Sequence, residues 1–368
     1  MRSIFLWFCF AAGLTGACAQ PKQAAQPFEV IGYYAGDGNN LAQYNFSQLT
    51  QVIFSFLHLK GDSLAFDNEN SKAALSKLVV LKAAHPQLKV LVSLGGWTGC
   101  YTCSDVFATE EGREHFAKSV AQILKQNGAD GIDLDWEYPA IQGPPDHPFR
   151  AEDRQNFTDL IVKLRNAIGP DAELSFAAGG FTEFLEKSVE WDKVMPLVNR
   201  VNLMTYDLIN GYSTETGHHT ALMSTPLQKE STDHCVQWLL QKGVDSRKLI
   251  IGAAFYARIW KDVSNKNWGL YQKGVFKQGL NFKDFEQLEP DSGWAHQWDL
   301  QAKAPYAFHK TKFLFATYDN AMSLYEKVLY ARKYNLGGIM FWELQCDTPK
   351  DGLLQAITDA VVNTDEIP

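Results

Sequence analysis

The chain has 368 residues, 46% of them hydrophobic, with 34 Lys and Arg against 42 Asp and Glu, a formal net charge of −8. That length holds one large domain or two smaller ones with a substantial core. The acidic balance excludes nucleic acid as the main partner and leaves no polybasic patch for an anionic membrane.

The N-terminus reads as a targeting segment. Arg2 is its positive end, and Ile4 to Leu14 is an apolar run too short to span a bilayer. Ala17-Cys18-Ala19 is a small-x-small site, so residues 1–19 form a signal peptide cut before Gln20, and the protein is secreted. The alternative is a lipoprotein at the cell envelope. Leu14-Thr15-Gly16-Ala17-Cys18 resembles a lipobox with one extra residue and would place a lipid anchor on Cys18. No later stretch has the length and apolarity of a membrane span.

From Phe28 on, strand and helix patterns alternate. Strands are predicted at 29–34, 51–57, 89–94, 131–137, 173–178, 200–204, 248–253 and 338–342, most of them β-branched or aromatic and bounded by Gly, Asp or Asn. Between them, 72–84, 113–127, 153–168, 231–242 and 320–334 space their apolar residues for one helix face. Eight such units predict an α/β fold, a (β/α)₈ TIM barrel. A doubly wound open sheet is weaker, because no Gly-rich phosphate loop follows the first strand. The alternation fails once, between Ala257 and Phe315, where Trp, Lys, Asp, Gly and Gln dominate. So long a structureless loop is improbable, and residues 258–314 are read as a small α+β insertion between strands seven and eight. The barrel is then 28–257 plus 315–368, with the last helix after Leu353.

Cys9 and Cys18 belong to the leader. Cys100 and Cys103, in Cys-Tyr-Thr-Cys, lack the second pair or His-x-x-x-His of a zinc site, so a loop disulfide is expected in an exported protein. Cys235 and Cys346 read as buried thiols. The histidines lack ligand spacing, and His218-His219 reads as a surface loop. No metal and no cofactor is expected.

The chemistry concentrates in Asp130-Gly131-Ile132-Asp133-Leu134-Asp135-Trp136-Glu137-Tyr138-Pro139. Ile132, Leu134 and Trp136 alternate with Asp133, Asp135 and Glu137, a period of two that puts three carboxylates on one strand face about 6.6 Å apart. Like charges in such a column repel, so a proton is shared and the outermost group's pKa rises. That suits Glu137, at the strand's C-terminal end where barrels carry catalysis, as a general acid. An ordinary acidic strand or a Mg²⁺ or Ca²⁺ site is the bland alternative; four acids at this spacing weigh against it.

This decapeptide resembles the signature of family 18 glycoside hydrolases, the chitinases. Ser93-Leu94-Gly95-Gly96-Trp97 is similar to that family's Ser-x-Gly-Gly motif, Met204-Thr205-Tyr206-Asp207 to its strand-six motif, and Gly337–Glu343 to its last strand. Tyr256 and Arg258 fall in Phe-Tyr-Ala-Arg, with Ala257 where the family has Gly. The resemblance runs from about Phe28 to the end. It implies a chitinase acting on chitin or chito-oligosaccharides by a retaining, substrate-assisted mechanism. Glu137 would be the acid, Asp135 would orient the substrate's acetamido group, Asp133 would share Asp135's proton, and Tyr206 would donate to the acetamido oxygen. Trp342 would be the subsite floor. Tyr33, Phe54, Gly96, Trp97, Met204, Asp207, Tyr256 and Arg258 complete the substrate-binding set. Phe181, Trp268 and Trp294 are candidates for the groove wall. The many aromatics, 10 Trp, 14 Tyr and 23 Phe, fit a groove that stacks on sugar rings. A short insertion implies a groove of moderate depth, and a monomer is expected. The alternatives are a non-catalytic lectin of the same fold, or the same chemistry on an N-glycan core or peptidoglycan.

Overall fold

The computed structural model describes residues 27–289 and 292–365. The leader, with Arg2, Cys9, Cys18 and the cleavage site, lies outside the described residues.

Eight parallel strands close into a barrel: β1 (Glu29–Tyr34), β2 (Gln51–Lys60), β4 (Lys89–Gly95), β5 (Gly131–Asp135), β6 (Glu173–Gly179), β7 (Arg200–Met204), β8 (Leu249–Ala254) and β14 (Gly338–Trp342). They are hydrogen-bonded in the order β1-β14-β8-β7-β6-β5-β4-β2, and β2 pairs back to β1. A short β3 (Ser63–Ala65) folds antiparallel onto the end of β2. The helices are α1 (Glu69–Val80), α2 (Cys103–Phe107), α3 (Glu110–Asn127), α4 (Asp153–Ile168), α5 (Thr182–Lys187), α6 (Trp191–Val194), α7 (Thr232–Gln241), α8 (Ala321–Lys333) and α9 (Leu353–Asp365). After β1 the chain makes two 3₁₀ turns instead of an α-helix. Asn68 and Asn320 start α1 and α8 with capping boxes to Ser71 and Ser323, each cap contributing about 1 kcal/mol. Gly128 ends α3 at φ 71°, a left-handed cap that Gly adopts without a Cβ clash.

Strand period two sorts side chains between two layers. Val30, Val52, Val90, Val92, Ile132 and Leu134 face outward into the main core between strands and helices. Ile31, Tyr33, Ile53, Leu91, Ile250 and Met340 fill the barrel interior. Phe54 is corrected by this alternation. It packs in the outer core, with its neighbour Ile53 inside, and contacts no substrate cavity. At the N-terminal mouth Arg200 bridges Glu29 (3.1 Å) and Glu173 (2.9 Å), and Lys89 also pairs with Glu173. These links tie four strands of the barrel together.

Between β8 and α8 the chain builds a five-stranded antiparallel sheet of β9 (Tyr256–Lys261), β10 (Val275–Asn281), β11 (Trp294–Asp299), β12 (Ala304–His309) and β13 (Leu314–Thr317), in the order β10-β9-β13-β12-β11. Both faces are apolar. Ile259, Ala307 and Ala316 lie on one, and Trp260, Phe308 and Phe315 on the other. Its helical parts are the 3₁₀ turns Lys266–Gly269 and Phe282–Leu288. The sheet starts at Tyr256 because a single residue, Phe255, separates β8 from β9, so barrel strand seven runs almost directly into the insertion.

Candidate active site

A groove of about 1710 Å³ opens at the C-terminal ends of the barrel strands. Tyr33, Gly96, Trp97, Asp135, Glu137, Met204, Tyr206, Asp207, Tyr256, Arg258 and Trp342 all line it. The candidates come from six different strands, β1, β4, β5, β7, β9 and β14, and the loops that follow them. Asp133 lies one layer deeper and is fully buried.

β5 ends at Asp135, two residues earlier than the alternating pattern suggests. Glu137 therefore sits on the turn beyond the strand, at the groove wall. Asp133 is held by four donors. The Tyr33 hydroxyl (3.0 Å) and Ser93 (3.2 Å) donate to Oδ2, while Ser175 (2.6 Å) and the Asn202 amide (3.0 Å) donate to Oδ1. Burial raises the Asp133 pKa, and these donors oppose the rise. Asp135 is buried, and its Oδ1 has no hydrogen-bond partner among the described residues. Burial, then the charges of Glu137 and Asp133, push its pKa far above the carboxylate range. Of the two inner acids, Asp133 is equipped to keep its charge and Asp135 to carry a proton. Burial also raises Glu137, to about 7; the neighbouring Tyr138 hydroxyl opposes the rise and the Asp207 charge adds to it.

Glycine is required at two positions beside these acids. Gly95 has φ 107°, and a Cβ there would lie 2.3 Å from the Asp135 carbonyl oxygen. Gly96 has φ 80°, donates its N–H to the same carbonyl at 2.9 Å, and a Cβ would lie 2.4 Å from the Phe56 ring. The Ser-x-Gly-Gly stretch thus brings its own backbone, and Phe56, against β5.

Across the groove, Tyr206 is buried, and among the described residues its hydroxyl's one hydrogen-bond partner is the Met340 sulfur, at 3.8 Å. Asp207 has φ 54°, outside the usual range for Asp, and is fixed from three sides. Arg258 grips it with two N–H donors at 2.7 and 2.6 Å, and the Tyr256 hydroxyl donates at 2.9 Å. His219 Nδ1 lies 3.6 Å from its Oδ1. Burial would raise the Asp207 pKa, but His219 and Arg258 outweigh it and hold it well below the carboxylate range. His218 and His219 are both fully buried, which corrects their reading as a surface loop. His218 pairs with Asp299 (3.0 Å) in the insertion, and the backbone N–H of His219 donates to Thr317. The insertion packs over this loop and removes it from solvent.

Trp342 stacks on Phe56, with centroids 5.6 Å apart and planes 17° apart, and leans against Tyr33 at 5.8 Å. Phe56 is the aromatic that residue-type reasoning missed in favour of Phe54. A register shift in the β2–β4 pairing between Phe54 and Leu57 breaks the alternation and turns Phe56 into the groove. A line of rings continues away from the floor: Phe181 to Tyr138 (5.5 Å), Tyr138 to Trp97 (6.3 Å) and Trp97 to Tyr212 (6.2 Å). Tyr138 lies in the acid-strand motif but was given no role in the site, and Tyr212 carried no motif of its own. Phe181 lines the groove, whereas Trp294 packs in the insertion core and Trp268 lies beneath Lys310 (4.4 Å). Phe276, Leu280 and Asn281 of β10 bring the insertion into the wall. Cys100 and Cys103 form a disulfide beside Gly95, and Cys235 and Cys346 are free and buried. Among the described residues, no helix is long and apolar enough to cross a membrane.

A buried acid titrating near neutrality, an unpartnered acid beside it, a free tyrosine hydroxyl opposite and an aromatic floor form a site for acid-catalysed cleavage of a sugar bond. Chitinase A1 of Niallia circulans is 33% identical over 302 residues, covering 75% of this chain and 43% of that protein. Chitotriosidase-1 of Mus musculus is 29% identical over 328 residues, 81% of this chain and 67% of that one. Among solved structures, a glycoside hydrolase family 18 N-acetylglucosaminidase from Paenibacillus barengoltzii superimposes with a TM-score of 0.81 at 33% identity, over 91% of this chain and 100% of that chain. Chitinase ChiA74 from Bacillus thuringiensis gives 0.85 at 25% identity, over 92% and 70%. The chain spans less than half the length of the Niallia circulans relative. Residues 29–347 match the family described as Glycosyl hydrolases family 18, and the chain belongs to that family.

Proposed function

We propose that this protein is a chitinase, hydrolysing β-1,4-linked N-acetylglucosamine chains with retention and with the substrate's own acetamido group as nucleophile. The observation that carries the reading is Glu137, a buried carboxyl with its pKa raised to about 7, standing beside a second acid that is itself ready to hold a proton. Glu137 gives its proton to the glycosidic oxygen as the bond to the anomeric carbon breaks. The C2 acetamido oxygen attacks that carbon and closes an oxazolinium ring. As the substrate engages, the proton that Asp135 holds at rest passes to Asp133, so that Asp135, now ionised, faces the acetamido N–H and offsets the positive charge, while Tyr206, with no N or O partner, donates its hydroxyl to the acetamido oxygen. Water then adds to the anomeric carbon, Glu137 takes the water's proton, and the ring reopens. This substrate assistance is the recognised departure from the two-carboxylate scheme in the family. Trp342 and Phe56 floor the reacting sugar, and Arg258 and Tyr256 fix Asp207 as an acceptor for its polar groups. The leader pattern, with Cys18 in it, supports export.

Two arms test this. Wild-type protein should cleave chitotriose and chitohexaose to products of the β-anomer. Glu137→Gln should lose roughly 10²- to 10⁴-fold in kcat with binding held within a few-fold. Binding of chito-oligosaccharides without turnover by wild type would favour a lectin. Turnover confined to an N-glycan core or to peptidoglycan fragments would move the same chemistry to that substrate.

A further inference from the structure

We propose that the sugar-binding groove continues past Trp97 onto a rigid platform formed by Tyr101 and His147, which holds a further N-acetylglucosamine unit of a long chain. This rests on the chito-oligosaccharide reading above.

Tyr101 is 54% exposed, a large aromatic surface left to water. Its ring meets the edge of His147 at 5.3 Å and 88°. The two rings lie just outside the groove lining, on loops that border it: Gly99 and Pro145, two positions before them, are part of that lining.

A single exposed aromatic needs no explanation by itself; the bracing of this one does. Tyr101 sits inside the four-residue ring closed by the Cys100–Cys103 disulfide, and both half-cystines are buried. The loop that carries His147 is bolted to the same element. Arg150 donates to Ser104 Oγ at 2.9 Å and pairs with Asp105, both on α2. Ser104 in turn donates to the buried Asp153 at 2.7 Å, and the Arg150 N–H donates to that carboxylate at 2.8 Å. Two loops are thus locked together with an aromatic face outward. An aromatic surface held in place before binding loses little freedom when a sugar ring stacks on it.

The test is the chain-length dependence of kcat/KM from chitotriose to chitohexaose for wild type, Tyr101→Ala and Tyr101→Phe, with thermal midpoints for each. Stacking worth an ordinary aromatic contact predicts that Tyr101→Ala loses roughly two- to tenfold on the hexasaccharide and keeps its rate on the trisaccharide. Tyr101→Phe, which retains the ring, should keep most of the hexasaccharide rate. An unchanged hexasaccharide rate in Tyr101→Ala, or an equal loss on both lengths, overturns the platform alone. No turnover of either length by wild type overturns the underlying function and the platform with it.

Discussion

The proton on Glu137 sets a pH dependence that can be worked out in advance. The acid must be protonated to act, and its pKa in the free protein lies at about 7. At pH 5 about 99% of the molecules then carry the proton, and at pH 8 about 9%. Above neutrality kcat/KM should therefore fall tenfold per pH unit. The Tyr138 hydroxyl holds that pKa down by favouring the ionised carboxylate, as a donor to it would. Tyr138→Phe removes the donor, leaves no orphan polar group of its own, and keeps the ring packed on Phe181 and Phe184. A hydrogen bond to a charged group contributes about 1.5–3 kcal/mol, and one pKa unit corresponds to about 1.4 kcal/mol. The basic limb should thus move up by about one to two units. The assay is kcat/KM from pH 4 to 9 on a fluorogenic chitobioside. A basic limb that stays put or moves down in Tyr138→Phe would refute the assigned hydrogen bond. A wild-type limb several units from 7 would refute Glu137 as the titrating acid.

Two further perturbations test the supports of the site. Arg258→Met strips Asp207 of two short charge-assisted hydrogen bonds; with both groups partly exposed, the loss should be about 2–3 kcal/mol rather than the full cost of breaking a buried pair. Asp207's pKa is depressed in the fold, so its stabilisation is present above the unfolded carboxylate pKa and lost as pH falls. The denaturation gap between wild type and variant should accordingly be widest above about pH 4 and close in stronger acid; a gap that is flat with pH would exclude the ion pair as its source. Lys327→Met leaves Asp319 buried without the Nζ that now sits 2.7 Å away, and should cost about 3–5 kcal/mol by urea unfolding. Lys327→Met combined with Asp319→Asn should recover part of that loss, and no recovery would mean that lost packing explains the effect.

Much of the site was legible because its signals are local. The alternation from Gly131 to Glu137 places three acids on one face whatever surrounds the strand. The paired glycines at 95 and 96 announce a backbone that no other residue permits, although the partner they approach, the Asp135 carbonyl, lies on another strand. Phe54 and Phe56 mark the limit. They differ by one full strand period, so alternation alone puts them on the same face, and only the register shift between β2 and β4 separates them. His218 and His219 carry no pattern of their own. Their burial follows from an insertion whose strands are contributed some forty to one hundred residues later in the chain.

The residues by themselves determined the alternating barrel, the place where it is interrupted and the chemistry of the acid strand, because each rests on neighbours within a few positions. The tertiary structure decided which acid keeps its charge. Asp133 and Asp135 are the same residue type on the same strand face, yet four donors converge on one, from β1, β4, β6 and β7, and one oxygen of the other has none. Protonation in a buried site is set by the sum of donors and charges around each oxygen, and those donors come together only when the barrel closes.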